Sequence, residues 1–149
     1  SVKNTDTAHT KGYDGGKKIS GIKRHIAVDT NGLPHTINIT AANITDRDGA
    51  LEMVKKAKQN LTKAEKVLVD GAYTGQEFQD EITMLIDAIV EVAKRSELHK
   101  FAVIPKRWVV ERSFAWIEKC RRLWKNCERL ITSSRAMVQL AFIRILLLR

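Results

Sequence analysis

A chain of 149 residues with 44% hydrophobic and 29% charged side chains buries one core and rarely two. That predicts a single domain over residues 1–149 and excludes a disordered or collagen-like polymer. Two cysteines, Cys120 and Cys127, with no CxxC pair exclude a disulfide framework and a cysteine-rich zinc module, and they fit a reducing, cytoplasmic setting. The net charge of +9 is lopsided: residues 1–99 hold 14 Lys and Arg against 14 Asp and Glu, whereas residues 100–149 hold 12 against 3. A polyanionic partner is therefore expected, nucleic acid before a membrane surface, with a merely solvated basic helix as the alternative.

In chain order, Ser1 to Gly21 is polar and glycine-marked and predicts a loop. Its Gly15-Gly16-Lys17-Lys18 lacks the glycine spacing and the Lys-Ser/Thr ending of a phosphate-binding loop. His25 to Asp29 and Leu33 to Thr40, around Asn31-Gly32, predict a β-hairpin. Asp46 or Asp48 then caps a helix whose Ala50, Leu51, Val54 and Ala57 recur at helical spacing. Lys66 to Val69 reads as a buried strand stopping at Asp70-Gly71, a helix begins near Gln76, and Ala88 to Ala93 reads as a second strand. Lys94 to Pro105 is an irregular basic connection. Helices follow from about Trp108 to Leu130 and, after Thr132-Ser133-Ser134, to the end. The stretch Met137 to Leu148 is too short for a bilayer, and no leader opens the chain, so neither a membrane nor secretion is expected. Alternating strands and helices after a hairpin predict an α/β fold with one mixed sheet.

Two carboxylates stand out. Asp70 ends a strand, where reactive groups of open α/β sheets gather, although the local sequence by itself favours a plain turn role beside Gly71. Glu111 sits in a helical run. At about 100° per residue, Arg107, Glu118, Arg122, Lys125 and Arg129 fall within about 40° of it, while Val109, Ile117, Leu123, Trp124 and Cys127 turn toward the core. Four cations beside one carboxylate suit a phosphate backbone lying over an acidic site; a surface salt-bridge lattice is the alternative. Trp108, Trp116 and Trp124 recur every eight residues and read as core, with Trp108 alone considered for DNA contact. The four histidines show no metal-ligand spacing.

Val67-Leu68-Val69-Asp70-Gly71-Ala72-Tyr73 together with Arg107-Trp108-Val109-Val110-Glu111-Arg112-Ser113-Phe114-Ala115-Trp116 resembles the bacterial insertion-sequence DDE transposases, the group named for insertion sequence five, with an IS4-like DDE domain. The resemblance implies an RNase H-like fold in which two aspartates and a glutamate bind two divalent metal ions, Mg2+ or alternatively Mn2+. It implies metal-dependent phosphodiester hydrolysis and strand transfer on insertion-sequence ends, with double-stranded DNA as partner and a homo-oligomer when complete. Asp70 falls on the second aspartate and Glu111 on the glutamate, with Arg107, Arg112, Lys119, Arg122, Lys125 and Arg129 as the DNA-binding set. Two departures are Ile104, where relatives often carry tyrosine, and Lys119, eight residues after the glutamate rather than seven. The first aspartate of such enzymes lies three residues upstream of the position of Ser1. The chain as given is therefore expected to begin just after it and to be inactive, since Asp29, Asp46 and Asp48 are judged misplaced as substitutes. The alternative reading is a catalytically inactive DNA-binding remnant.

Overall fold

The computed structural model describes residues 1–93 and 107–148, and for Arg107 the backbone alone. In chain order the described elements are strands β1 (Val2–Lys3), β2 (Gly12–Asp14), β3 (Ile19–Val28) and β4 (Pro34–Ala41), helix α1 (Asp46–Lys56), strand β5 (Lys66–Val69), helix α2 (Gln76–Ile86), strand β6 (Ile89–Val92), and helices α3 (Arg107–Glu118) and α4 (Ile131–Leu147). The expected connection from Lys94 to Pro105, Ile104 included, lies outside the described residues.

The hairpin forms as its turn chemistry dictates. Asp29 Oδ1 accepts from the amides of Asn31 (2.8 Å) and Leu33 (2.9 Å), and Gly32 takes φ +83°, a conformation that side-chain-bearing residues rarely adopt. Asp29 is thereby spent on the turn. The polar segment before it is not a loop, because β1 and β2 both pair antiparallel with β3. Strands of two and three residues carry no readable period, and only the ten-residue partner β3 makes them strands. Gly21 pairs with both Lys3 and Gly12, while Ile22 pairs with both Val2 and Ala41. Hence β1 lies on one edge of β3, and β2 and β4 follow one another along the other.

The expected single mixed sheet is also corrected. β5 and β6 pair parallel as predicted, but they form a separate two-stranded sheet. β1 is only two residues long, and beyond it Asn4 bridges to Asn126 rather than to β5.

β4 is buried on both faces. Ile37 and Ile39 join Ile22, Ile117, Leu123, Val138 and Phe142 in a core under α3 and α4, each such side chain contributing about 1.5–3 kcal/mol. The alternate residues Thr36, Asn38 and Thr40 are buried yet polar, and α1 packs over them. His25 Nε2 lies 2.9 Å from Thr40 Oγ1, and Asn38 Nδ2 donates to Glu52 Oε2 at 3.1 Å. Gly49 is required here, since a Cβ would come within 2.3 Å of the His25 ring. The N-cap of α1 is Thr45, not Asp46 or Asp48: its hydroxyl accepts from the Asp48 amide at 3.1 Å, and its hydrogen goes to Asp48 Oδ2. A second core of Val54, Leu61, Phe78, Ile82 and Ile86 joins α1 and α2 to the parallel pair.

The long helix expected from Trp108 to Leu130 is interrupted. α3 stops at Glu118, and a short 3-10 turn, Arg121–Leu123, follows. The cause is tertiary. The Asn126 amide donates to Lys3 O (2.9 Å), its carbonyl accepts from the Thr5 amide (2.9 Å), and its side chain meets Asn4 Oδ1 (2.9 Å) and Ser134 Oγ (2.7 Å). Pairing with the opposite end of the chain overrides the helical period. The basic stripe computed along one helix therefore does not exist: Arg122, Lys125 and Arg129 lie beyond the break.

Burial holds the His25 imidazole below its ordinary 6.5, with Asp46 pulling weakly the other way. Below pH 6.5 the unfolded chain takes up a proton that the folded chain refuses, so stability falls with acidification until the lower folded pKa is passed, and is fully retained above 6.5. Urea denaturation across this range should show that loss, and His25→Gln should flatten it.

Candidate active site and nucleic-acid interface

Asp70 follows the last residue of β5 and turns into the short 3-10 segment Gly71–Tyr73. Its Oδ1 accepts from the Ala72 amide at 2.9 Å, so the carboxylate caps the turn and is held at the carboxyl end of the parallel pair. The turn role and the strand-end position thus coexist. One oxygen binds the backbone, and the carboxylate keeps further acceptor capacity.

The first turn of α1 is fastened to this loop. Arg47 Nε donates to the Ala72 carbonyl at 3.1 Å, and Asp46 pairs with Lys23 at 3.2 Å. Tyr73 packs on Phe78 with ring centroids 5.4 Å apart, and its phenol is pushed up to about 12, first by burial and then by the negative charges of Asp46 and Asp70. Asp46 and Asp70 therefore act on one tyrosine. Sequence reasoning missed Arg47 and Tyr73, since neither sits in a periodic pattern that signals a shared loop.

Glu111 is exposed on α3. That helix is clamped at its amino-terminal half to the hairpin turn. Arg112 Nη2 donates to Asn31 O at 2.7 Å, and the fully buried Ser113 Oγ lies 2.8 Å from Gly32 O and 2.9 Å from Val109 O. The Arg112 guanidinium carbon is 4.4 Å from the Trp108 ring centroid and 4.9 Å from that of Trp116. Arg112, expected on DNA, lies against two indoles and donates to the hairpin turn within the protein. Glu118, two turns on, lies within electrostatic reach of Arg24, whose guanidinium burial depresses.

Asp70 and Glu111 belong to elements in different cores, Asp70 at the end of β5 in the second and Glu111 on α3, which packs in the first. Among the described residues no group of three or more His, Cys, Asp or Glu assembles into a metal site. Of the expected DNA-binding residues, Lys119, Arg122 and Arg129 are exposed and Lys125 is half-buried, while the Arg107 side chain is outside the described set. Arg122 Nε donates to Glu128 Oε1 at 2.9 Å. The tryptophans are not uniformly core: Trp108 is 51% and Trp124 65% exposed.

The Arg112 sandwich predicts that Arg112→Ala lowers unfolding stability by about 1–3 kcal/mol, through two lost cation–π contacts and a lost charged hydrogen bond. Arg112→Lys should recover little of it. The check is chemical denaturation, with the salt dependence of DNA binding measured in parallel and expected to be unchanged.

Residues 2–146 match the family described as Transposase DDE domain. The chain is also 31% identical over 134 residues, 84% of its length, to a Burkholderia cepacia protein assigned as a transposase for insertion sequence element IS402, and it spans 60% of that relative's length. No solved structure matches it. No helix among the described residues is long and apolar enough to cross a membrane. With a strand-end aspartate, a glutamate-bearing helix and a basic carboxyl third inside a match that runs nearly end to end, the chain belongs to the transposase DDE-domain family.

Proposed function

We propose that the chain is the catalytic core of an insertion-sequence DNA transposase, RNase H-like in fold, that hydrolyses phosphodiesters at element ends and joins the 3′ ends to target DNA. The observation that carries this reading is Asp70, held by its own turn at the carboxyl end of β5 within a transposase domain. Asp70 and Glu111 are the carboxylates this segment contributes to a divalent-metal site. Carboxylate oxygens suit Mg2+ or Mn2+. Two of them on separate elements need a further ligand to hold a metal pair. A bound pair would activate the attacking hydroxyl and stabilise the leaving oxygen.

The remaining chemistry falls to the chain itself. Arg47 and the Asp70 cap keep the Gly71–Tyr73 loop in one shape, so the carboxylate is pre-positioned. Lys119, Arg122, Lys125 and Arg129, with Arg107, supply cations for the phosphate backbone of double-stranded DNA, the terminal inverted repeats and the target. The further ligand in this reading is the aspartate that the family resemblance implies three positions before Ser1. Val2 pairs with Ile22 in antiparallel register, so a residue three positions before Ser1 in a strand continuing β1 backwards would stand opposite Ile26. It would share the face of Val2 and Ile26, which packs into the core beneath α3. Among the described strands, none covers that stretch of β3 on the β1 side. An enzyme extended there is expected to act as a homo-oligomer.

Two outcomes test the reading. Duplex binding should weaken steeply with salt, with log K against log salt sloping roughly −4 to −5 for about four to six neutralised phosphates. In a supercoiled-plasmid assay with Mg2+ or Mn2+, the chain as given should nick poorly. A form extended upstream to include an aspartate three residues before Ser1 should nick in a metal-dependent way, and Asp70→Asn or Glu111→Gln in that form should abolish it. Robust nicking by the short chain, or by the Asp70→Asn form, contradicts the assignment.

A further inference from the structure

Trp124 stands in water between two clefts. One, of about 480 Å3, is walled by Lys3, Arg24, Glu118 and Lys125; the other, of about 420 Å3, by Arg121, Arg122 and Cys127. The indole is 65% exposed, a large apolar plane that folding leaves mostly in solvent. Lys125 Nζ lies 4.1 Å from its ring centroid and covers part of it. Five cations surround the ring against two carboxylates, Glu118 and Glu128, the latter already engaged by Arg122. The Arg24 Nε is buried and has no hydrogen-bond partner among the described residues, a donor in want of an acceptor beside the larger cleft.

We propose that Trp124 is a stacking platform for an unpaired nucleotide of the DNA substrate, with Arg24, Lys3 and Lys125 holding the phosphate on one side of the base and Arg121 and Arg122 the phosphate on the other. The inference rests on the transposase reading above and adds that the substrate is locally single-stranded at this surface. In a duplex the bases stack on one another and offer only their edges, so an isolated indole plane is useful only to a base withdrawn from the stack. A cage for a cationic ligand would be ringed by carboxylates, whereas this one is ringed by cations, which selects an anionic, π-faced ligand. Concave cationic walls on both sides match the backbone entering and leaving a single stacked base.

The test is equilibrium binding, by fluorescence anisotropy, of a labelled short oligothymidylate, a duplex of equal length and an oligouridylate. Trp124→Ala should weaken oligothymidylate binding by about 5- to 100-fold and duplex binding by no more than about twofold, while Trp124→Phe stays within about threefold of the parent. Trp124→Leu keeps apolar volume without a π-face and should behave as Trp124→Ala; it serves as the second variant if the alanine form unfolds. Equal losses on duplex and single strand, no loss with either variant, or tighter binding of oligouridylate than of oligothymidylate would overturn the proposal. Normal duplex affinity with Trp124-independent single-strand binding overturns this inference alone, and binding to none of the three probes overturns the DNA reading with it.

Discussion

The pairing of β3 with β4, buried on both faces, is the constraint on which the rest of the molecule depends. β3 also carries β1 and β2, so every strand of the larger sheet is bonded to this one element. The pleat then divides the labour. Ile37 and Ile39 face α3 and α4, while Asn38 and Thr40 face α1. A polar face inside a protein is tolerable only when its groups are satisfied, and here His25, Glu52 and the Gly49 backbone satisfy them. That network sets how closely α1 approaches the sheet. Through Arg47 it also sets where the Asp70 loop sits.

The same hairpin orients the other candidate carboxylate. Its turn offers the carbonyls of Asn31 and Gly32 to Arg112 and Ser113, and so fixes the amino-terminal half of α3, including Glu111, along the opposite face. One hairpin thus positions both candidate carboxylates, Asp70 through α1 and Glu111 through its turn. After α3, the described part of the basic carboxyl third folds back through Asn126 pairing with β1, and Arg121, Arg122 and Lys125 line clefts there rather than one helical stripe.

What was legible in the sequence was what local chemistry decides. The hairpin followed from Asn31-Gly32 between β-branched runs, β5 from a short apolar run stopped by Asp70-Gly71, and α2 and β6 from their periods. Asp70 and Glu111 became candidates through a strand-end position and a ring of cations in sequence, and the metal-binding roles expected of them came from the family resemblance. β1 and β2 were illegible because they are strands only by virtue of their partner. The break after Glu118 was illegible because hydrogen bonds from Asn126 to Lys3 and Thr5 join residues at opposite ends of the chain. Trp124, expected in the core, is exposed for the same reason. Once the helix ends, the 100° arithmetic that turned Trp124 inward no longer applies, and the guanidinium placed among the DNA contacts is held by Trp108 and Trp116.

The central claim is that Asp70 and Glu111, on separate elements, serve one divalent-metal site. It is tested most directly by titrating Mn2+ into isotopically labelled protein extended upstream through the expected aspartate and following paramagnetic broadening of backbone signals. The account predicts that signals of Gly71 and Ala72 and those flanking Glu111 broaden together, and that Asp70→Asn removes the broadening at both. Broadening confined to one of the two segments, or broadening around Glu111 that survives Asp70→Asn, would contradict it.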